Sequence, residues 1–298
     1  MSEIGKLLMG TNGSIFMIVN NSMELPQAFI NALNLEKHNE KGCYSATTLL
    51  KGACETILAD RHFDEIEIDV ADCVWQIWGT AVHLIFEKAG IEGFTEEKFS
   101  VPVSNSKVTG RVDLYDLENE TVYDWKTAST WKVQFNDFSD WDKQGLIYAW
   151  LMKQNGLKVK EIKFVALLKD HSKSKARKDF EYPQKPVIVH TVQVTEEALK
   201  EIEAFINLKV RQFEVAETLV DEKLTPCTKE ERWATEDKWA IMKAGRKTAL
   251  KVCDSEEEAK ELLPKLGGTE IQFRKGEDKK CNDYCPCADF CPYHNSNK

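Results

Sequence analysis

An α/β fold, with a central mixed β-sheet flanked by helices, is what the sequence predicts. Three observations carry that reading. Segments of helical and of strand character follow one another in the order helix, strands, helix, strand, which suits a sheet covered by helices. The 298 residues suffice for one large domain, or one domain with an appendage, and for a substantial core. The composition, 42% hydrophobic and 30% charged, is that of an ordinary globular chain.

The elements justify themselves in turn. Residues 45–60, "SATTLLKGACETILAD", begin with a Ser/Thr cap and continue with helical apolar spacing. Residues 70–89, "VADCVWQIWGTAVHLIFEKA", are apolar on most sides, so a buried helix is expected there. Strands are expected over 97–104, 107–116 and 121–127, with a turn at "LENE". The helix "KQGLIYAWLMKQNG" follows, ended by Gly156, and then a strand, "EIKFVALLKD". Residues 187–194 read as another strand and 195–218 as a long amphipathic helix. From 224 the character changes: "PCTKEERW", a helix "SEEEAKELLPKL", a short strand and a Cys-rich tail. The expected organisation is an N-terminal extension, 1–42, a core, 43–223, and a C-terminal Cys-rich segment, 224–298, closed by a metal.

Charge and hydropathy exclude some classes. No run of 18 uncharged apolar residues exists, so no membrane span is expected. The N-terminus "MSEIGKLLMGTNGSIFMIVNNS" lacks a basic region leading to a small-residue cleavage site, which argues against a secretory signal and for the cytoplasm. A formal net charge of −9 argues against a generic nucleic-acid coat. It is compatible with an enzyme acting on nucleic acid, because a metal pocket needs acids and a local basic patch can bind phosphates. One such patch is "KDHSKSKARK", 169–178, which reads equally well as a solvated loop.

The stretch "TGRVDLYDLENETVYDWKTAS", 109–129, places Asp113, Asp124 and Lys126 in otherwise apolar strands. A turn centred between Glu118 and Asn119 sets Asp113 opposite Asp124 and Arg111 opposite Lys126. Residues two apart on a strand share a face, so Asp124 and Lys126 point the same way with Asp113 beside them. Two facing carboxylates repel unless a cation lies between them, and a hard ion, Mg²⁺ or Mn²⁺, suits such oxygen ligands. Lys126 could then steady a developing oxyanion or help activate water. A surface hairpin with its acids in water is the bland alternative, weakened by the apolar flanks. In "GTAVHLIFEK", His83 and Glu87 are four apart on one helical face, a spacing suited to joint metal contact; in "QGLIYAWL", Gln144 and Tyr148 share a face in the same way. Trp125, Trp131 and Trp141 are candidates to stack single-stranded bases, and core packing explains them equally well.

Together, His83, Gly110 to Asp113, Asp124 to Lys126, and Gln144 with Tyr148 resemble the motif series of the PD-(D/E)XK nuclease superfamily, in its RecB-like branch. The stretches "YSATTLLKG", "RHFDEIEIDV", "GTAVH", "DHSKSKA" and "PCTKEERW" look most similar to nucleases of tailed phages and prophages. The resemblance covers most of 43–294 and leaves the first forty residues unexplained. It implies a restriction-endonuclease-like core and metal-dependent hydrolysis of DNA phosphodiesters, chiefly as an exonuclease in phage recombination or end processing. It further implies that Asp113, Asp124, His83 and the Trp125 carbonyl hold one or two Mg²⁺ or Mn²⁺ ions, with Glu87 as an outer candidate. Lys126 would position or activate water, and Gln144 and Tyr148 would orient the site or touch the DNA. The partners implied are DNA ends and phage recombination proteins, in the bacterial host cytoplasm if the chain is phage-encoded. A homo-oligomer is compatible with this reading and is not required by it. The alternatives are a catalytically idle DNA-binding module, and an endonuclease or trimming nuclease of the CRISPR-associated kind.

Nine cysteines are many for a cytosolic chain of this size, and four fall within "CNDYCPCADFC", 281–291. In that compartment a tight group points to metal or redox chemistry rather than disulfides. Cys281, Cys285 and Cys291 give C-x3-C-x5-C, with Cys287 inside as an alternate ligand; the set suits a [4Fe–4S] cluster or Zn²⁺. RecB-like nucleases that carry an iron–sulfur cluster use three C-terminal cysteines and one upstream, with a first spacing one residue shorter than here. Cys227 is the favoured fourth ligand and Cys54 the alternate. Cys73 and Cys253 read as core residues, and Cys43 is undecided.

Overall fold

Burial along Glu161–Leu168 alternates strictly: Ile162, Phe164, Ala166 and Leu168 are buried and their neighbours half-exposed, the pattern of a strand with one face on a core. That strand lies in a six-stranded mixed sheet, seen in a computed structural model that describes residues 17–33, 40–89 and 94–298. Part of the expected N-terminal extension, 1–16 and 34–39, lies outside the described residues. The chain divides into two compact units, Met1–Leu224 and Thr225–Lys298.

The first unit contains, in order, β1 (Ile18–Asn20), α1 (Gln27–Asn31), β2 (Cys43–Ser45), α2 (Ala46–Leu49), α3 (Ala53–Arg61), β3 (Glu67–Asp69), α4 (Val74–Ala89), β4 (Phe94–Val103), β5 (Ser106–Asp116), β6 (Thr121–Ala128), α5 (Thr130–Gln134), α6 (Ser139–Gln154), β7 (Glu161–Leu168), α7 (Lys173–Ala176), β8 (Val187–Gln193) and α8 (Glu196–Glu217). The second contains β9 (Lys238–Met242), β10 (Lys251–Cys253), α9 (Glu256–Lys265), β11 (Glu270–Arg274), α10 (Lys279–Asp283) and α11 (Pro292–Asn297).

Side-chain caps set several helix starts. Ser45 accepts the Thr48 N–H at the start of α2, Thr195 accepts the Ala198 N–H at the start of α8, and Ser255 accepts the Glu258 N–H at the start of α9. The single helix expected over 45–60 is instead two, because the chain leaves helical geometry after Leu50 and Gly52 begins a second start at α3. Past α6, Gly156 takes φ +82°, a left-handed conformation that glycine adopts without steric cost.

The main sheet runs β2-β5-β6-β7-β8, with β4 on the other edge of β5. β5 is shared along its length. Lys107–Thr109 pair in parallel with β2, and Leu114–Asp116 pair antiparallel with β6, so Gly110–Asp113 fall between the two partners. β6 and β7 are parallel, with Asp124 beside Phe164 and Lys126 beside Ala166. One face carries the main core: Val108, Val112, Val122, Ile162 and Phe164 meet Ile147 and Leu151 of α6 and Ile206, Val210 and Phe213 of α8. Gly110 lets α6 come close, since a Cβ there would lie 2.7 Å from Leu151 and 2.9 Å from Tyr148.

The other face is covered differently from expectation. α4 lies against β6, where Phe86 stacks on Trp125 with ring centroids 4.4 Å apart. Trp125 alternates with Asp124 and Lys126 along β6, so α4 covers the face opposite α6. The helix was expected to be buried because it is apolar on most sides, but only Val82 is fully buried, and Trp75, Trp78 and Ile85 face outward. A single helix resting on this face buries only its inward stripe. The N-terminal segment adds β1, paired in parallel with β3, and Val19, Leu33 and Val70 form a small separate core.

In the second unit, β10-β9-β11 form an antiparallel sheet backed by α9, with Ile241, Cys253 and Ala259 at its centre. Among the described residues, no helix is long and apolar enough to cross a membrane.

Candidate active site and cysteine group

The strands part where the acids sit. The β5–β6 ladder keeps the register expected from the turn, Asp116 opposite Thr121 and Leu114 opposite Tyr123, and its recorded pairing ends just before Asp113 and Asp124. In place of a ladder bond, the Trp125 backbone N–H donates to Asp113 Oδ2 at 2.7 Å. That bond fixes one carboxylate oxygen and leaves Oδ1 turned to α4, where His83 Nδ1 lies 3.2 Å away.

Asp124 is 2% exposed and its Oδ1 lies 2.6 Å from Lys126 Nζ. The contact is a charge pairing without hydrogen-bond alignment, so this buried oxygen has no hydrogen-bond partner among the described residues. Burial raises the Asp124 carboxyl to about 6; the Lys126 charge opposes that rise and the Asp113 charge adds to it. An acid held this way keeps its negative charge reluctantly until more positive charge arrives. The hydrogen bond to Asp113 raises His83 above its ordinary 6.5, with burial opposing it.

A further acid joins this group. Glu96 of β4 faces Asp113 across the β4–β5 pair, between the matched pairs Thr95–Leu114 and Glu97–Val112. Its φ of +53° is left-handed, a strained conformation for a glutamate within a strand. Burial and the Asp113 charge raise its carboxyl, while Arg111, with Nη1 at 3.6 Å, lowers it. Ligand atoms of His83, Glu96 and Asp113 all lie within 4.8 Å of one another. Glu96 is absent from the sequence expectations, although a signal for it existed: a tight turn at Ser104–Asn105 puts Glu96 opposite Asp113. Glu87 is exposed on α4 and stands outside the group, its charge reaching Glu96.

α6 supplies the remaining pair. Gln144 and Tyr148 are both buried, and Gln144 Nε2 donates to the Tyr148 hydroxyl at 2.7 Å. Burial, and then the nearby Asp124 charge, raise the Tyr148 phenol well above its ordinary value, so it stays protonated as a donor. The structure therefore brings His83, Asp113, Asp124, Lys126, Gln144 and Tyr148 to one place, with Glu96 added. The donor set, carboxylate oxygens of Glu96 and Asp113 and the His83 imidazole, fits a hard divalent cation, with the buried Asp124–Lys126 ion pair beside it.

The three candidate tryptophans separate. Trp141 is buried in the core, Trp125 is half-buried on Phe86, and Trp131 is exposed.

In the second unit, burial raises the Cys281 thiol to about 11, and Cys285, Asp278, Cys227 and Cys291 add to the rise in that order. Cys227 is therefore near enough to the tail thiols to act on them. Arg232 ties its loop down, donating to the Cys227 carbonyl and lying 3.0 Å from the Asp278 carboxylate. Cys287 is fully buried, its Sγ 3.6 Å from that of Cys285. Crowded thiols raise one another only as thiolates, and a soft metal centre is what relieves that repulsion. Cys54 is buried in α3 of the first unit, Cys253 lies in the core of the second, and Cys73 packs beside the small N-terminal core. Cys43 Sγ lies 3.9 Å from Thr109 Oγ1.

Residues 35–292 match the PD-(D/E)XK nuclease superfamily, and the chain belongs to that family. It is thus a nuclease by family, and members of the family act on DNA with divalent metals. Among solved structures, the chain is similar to SSO0001 (16% identity, 61% of this chain and 83% of that one, TM-score 0.42). It is also similar to a phage-related exonuclease from Haemophilus somnus 129PT (13% identity, 58% and 93%, TM-score 0.36). A third is an alkaline exonuclease from Laribacter hongkongensis (14% identity, 58% and 89%, TM-score 0.37), also solved in complex with dAMP. No curated protein shows significant similarity to the chain.

Proposed function

We propose that this nuclease is a Mg²⁺- or Mn²⁺-dependent DNA exonuclease acting at DNA ends in phage recombination or end processing. The observation that carries the reading is the convergence of His83, Glu96 and Asp113 ligand atoms within 4.8 Å, beside the buried Asp124–Lys126 pair. Asp113, Asp124, His83 and the Trp125 carbonyl hold the ion, and Glu96 adds an oxygen. When bound, a divalent ion supplies positive charge against the charge that develops on the scissile phosphate.

The chain's own groups do the rest. The Trp125 N–H holds one Asp113 oxygen and turns the other toward His83, so that both ligands face the same place. The Lys126 ammonium, half-sheltered beside Asp124, is a fixed positive charge that positions the attacking water and steadies the oxyanion. The Tyr148 phenol, which accepts from Gln144, keeps its proton to donate toward Asp124 or the DNA strand. Cys227, Cys281, Cys285 and Cys291 hold a [4Fe–4S] cluster whose role is to tie the C-terminal segment together. The mutual effect of those four thiols supports this assignment, and Zn²⁺ is the other ion their chemistry accepts.

The test is cleavage of end-labelled linear and circular DNA, single- and double-stranded, with Mg²⁺ or Mn²⁺. The anaerobically purified wild type is compared with Lys126→Ala. Exonuclease action predicts cleavage of linear but not circular substrates, and a loss of at least about a hundredfold in the variant. Cutting of circles identifies an endonuclease. A wild type with a full cluster that cleaves nothing is a binding module.

A further inference from the structure

Beyond Lys126, β6 and β7 end side by side, Ala128 opposite Leu168. The segments that leave these two ends are tied to each other: the Lys169 N–H donates to the Ala128 carbonyl at 2.9 Å, and both the Thr130 N–H and its hydroxyl donate to the Asp170 carboxylate. On one side of this junction, α5 carries Trp131 and ends on Phe135, its C-terminal cap, four residues on. Their rings stack on each other, centroids 5.5 Å apart and planes within 14°, yet the residues are 61% and 71% exposed. On the other side, Lys169 Nζ lies 3.8 Å over the ring of exposed Trp75.

The loop that follows β7 carries the charge. Lys169, Lys173, Lys175, Arg177 and Lys178 lie within 169–178 with a single acid, Asp170, already occupied by Thr130. None of these five cations is ion-paired among the described residues. Just past them, Phe180 is 92% exposed. The loop beneath it is fastened: the Tyr182 hydroxyl receives the Ser172 N–H and donates to the Asp170 carbonyl, His171 Nε2 meets the Pro183 carbonyl at 2.8 Å, and Gln184 donates to the carbonyls of Asp179 and Tyr182. Exposed aromatics near a run of five cations that make no ion pair among the described residues, in a chain of net charge −9, are placed for a polyanion that also offers flat apolar faces, with Phe180 itself between Asp179 and Glu181.

We infer that Trp131 with Phe135, Trp75 with Lys169, and Phe180 form a stacking track for single-stranded DNA that leads the strand to Lys126. The inference rests on the nuclease reading and names the form of its substrate. Bases in a duplex are already stacked and present their edges, so only an unpaired strand can lay its base faces on Trp131 or Phe180 while its phosphates meet the loop cations. The substrate is accordingly DNA with a single-stranded end.

Binding is measured by fluorescence anisotropy on the full chain without divalent metal, so that no cleavage occurs. The probes are a dye-labelled oligo(dT) and a blunt duplex of the same length. The double variant Trp131→Ala/Phe135→Ala is expected to weaken oligo(dT) binding by about tenfold or more and duplex binding by less than about twofold. Phe180→Ala, at a position too exposed to affect folding, is expected to weaken oligo(dT) binding by about fivefold. Unchanged oligo(dT) binding in both variants overturns the inference. So does equal weakening on both probes, which would make the surface a duplex track, or a wild type that prefers the duplex. Mg²⁺ added to the same samples separates the two readings. A wild type that binds the strand but never cleaves it defeats the nuclease reading alone, and variants that bind and cleave it like wild type defeat the track alone.

Discussion

Asp124 shows at residue scale why the proposed active centre costs stability. Its carboxyl is raised to about 6 by burial; the Lys126 charge opposes that rise and the Asp113 charge adds a smaller part to it. The unfolded chain releases that proton near the ordinary 3.8, so between about pH 4 and 6 the folded state holds more protons than the unfolded state. Stability from this group is therefore present below about 4 and lost as pH rises through 6, a difference of about 3 kcal/mol. His83, raised by Asp113, works in the same direction at higher pH. Asp124→Asn is expected to melt higher than metal-free wild type at pH 7.5, with the gap closing toward pH 4. Thermal melts of both proteins across that range, without divalent metal, check it; a gap that does not depend on pH would show that Asp124 ionises without cost. The pair of acids and the lysine were visible in sequence because they interrupt apolar strands. The neighbour that makes the group three-sided, Glu96, interrupts no apolar run, and only the register of a different hairpin, set by the turn at Ser104–Asn105, points to it.

The split between β5 and β6 is the decisive feature at the scale of elements. β5 gives its first residues to β2 and its last to β6, and the acids sit where neither partner pairs. α6 presses on the same stretch through Gly110, where no side chain would fit between the strand and Tyr148. Gly110→Ala is expected to cost about 1–3 kcal/mol, because Leu151 can swing aside but the Tyr148 ring is hemmed in by core packing. The displaced Tyr148 should also lower cleavage more than the stability loss alone, measured below the variant's melting transition. Wild-type melting with wild-type activity would mean the helix has slack there. α4 is the element that sequence placed least well. Its periodicity and composition fit a core helix, yet it packs one side on the sheet, and Trp75, Trp78 and Ile85 on its outer side are exposed.

At the scale of the molecule, a second unit begins near Thr225 and holds the thiol group by itself, with Cys227 brought to the tail by Arg232 and Asp278. A unit with so small an apolar core, centred on Ile241, Cys253 and Ala259, would gain much of its folding free energy from the metal centre proposed for its thiols. Cys285→Ser is expected to lower the melting temperature, the bound iron and the yield of soluble protein together with activity. Iron content and melting measured on the anaerobically purified variant check this. An unchanged melt with full activity would leave the thiols without a structural role.

The sequence by itself determined the alternation that makes the sheet, the caps that start α2, α8 and α9, the turn that sets the β5–β6 register, and the family motifs in their order. These are local: each depends on side chains within a few residues of one another, and periodicity and propensity encode such contacts directly. Tertiary structure alone decided that the ladder gives way to a Trp125 N–H bond at the acids, that His83 of α4 and Tyr148 of α6 meet them, that α4 keeps an exposed outer face, and that Trp131 faces water while Trp141 is core. Each of these depends on how one element packs on another, where the free energy of packing one surface on another, rather than any neighbour's propensity, selects which groups meet.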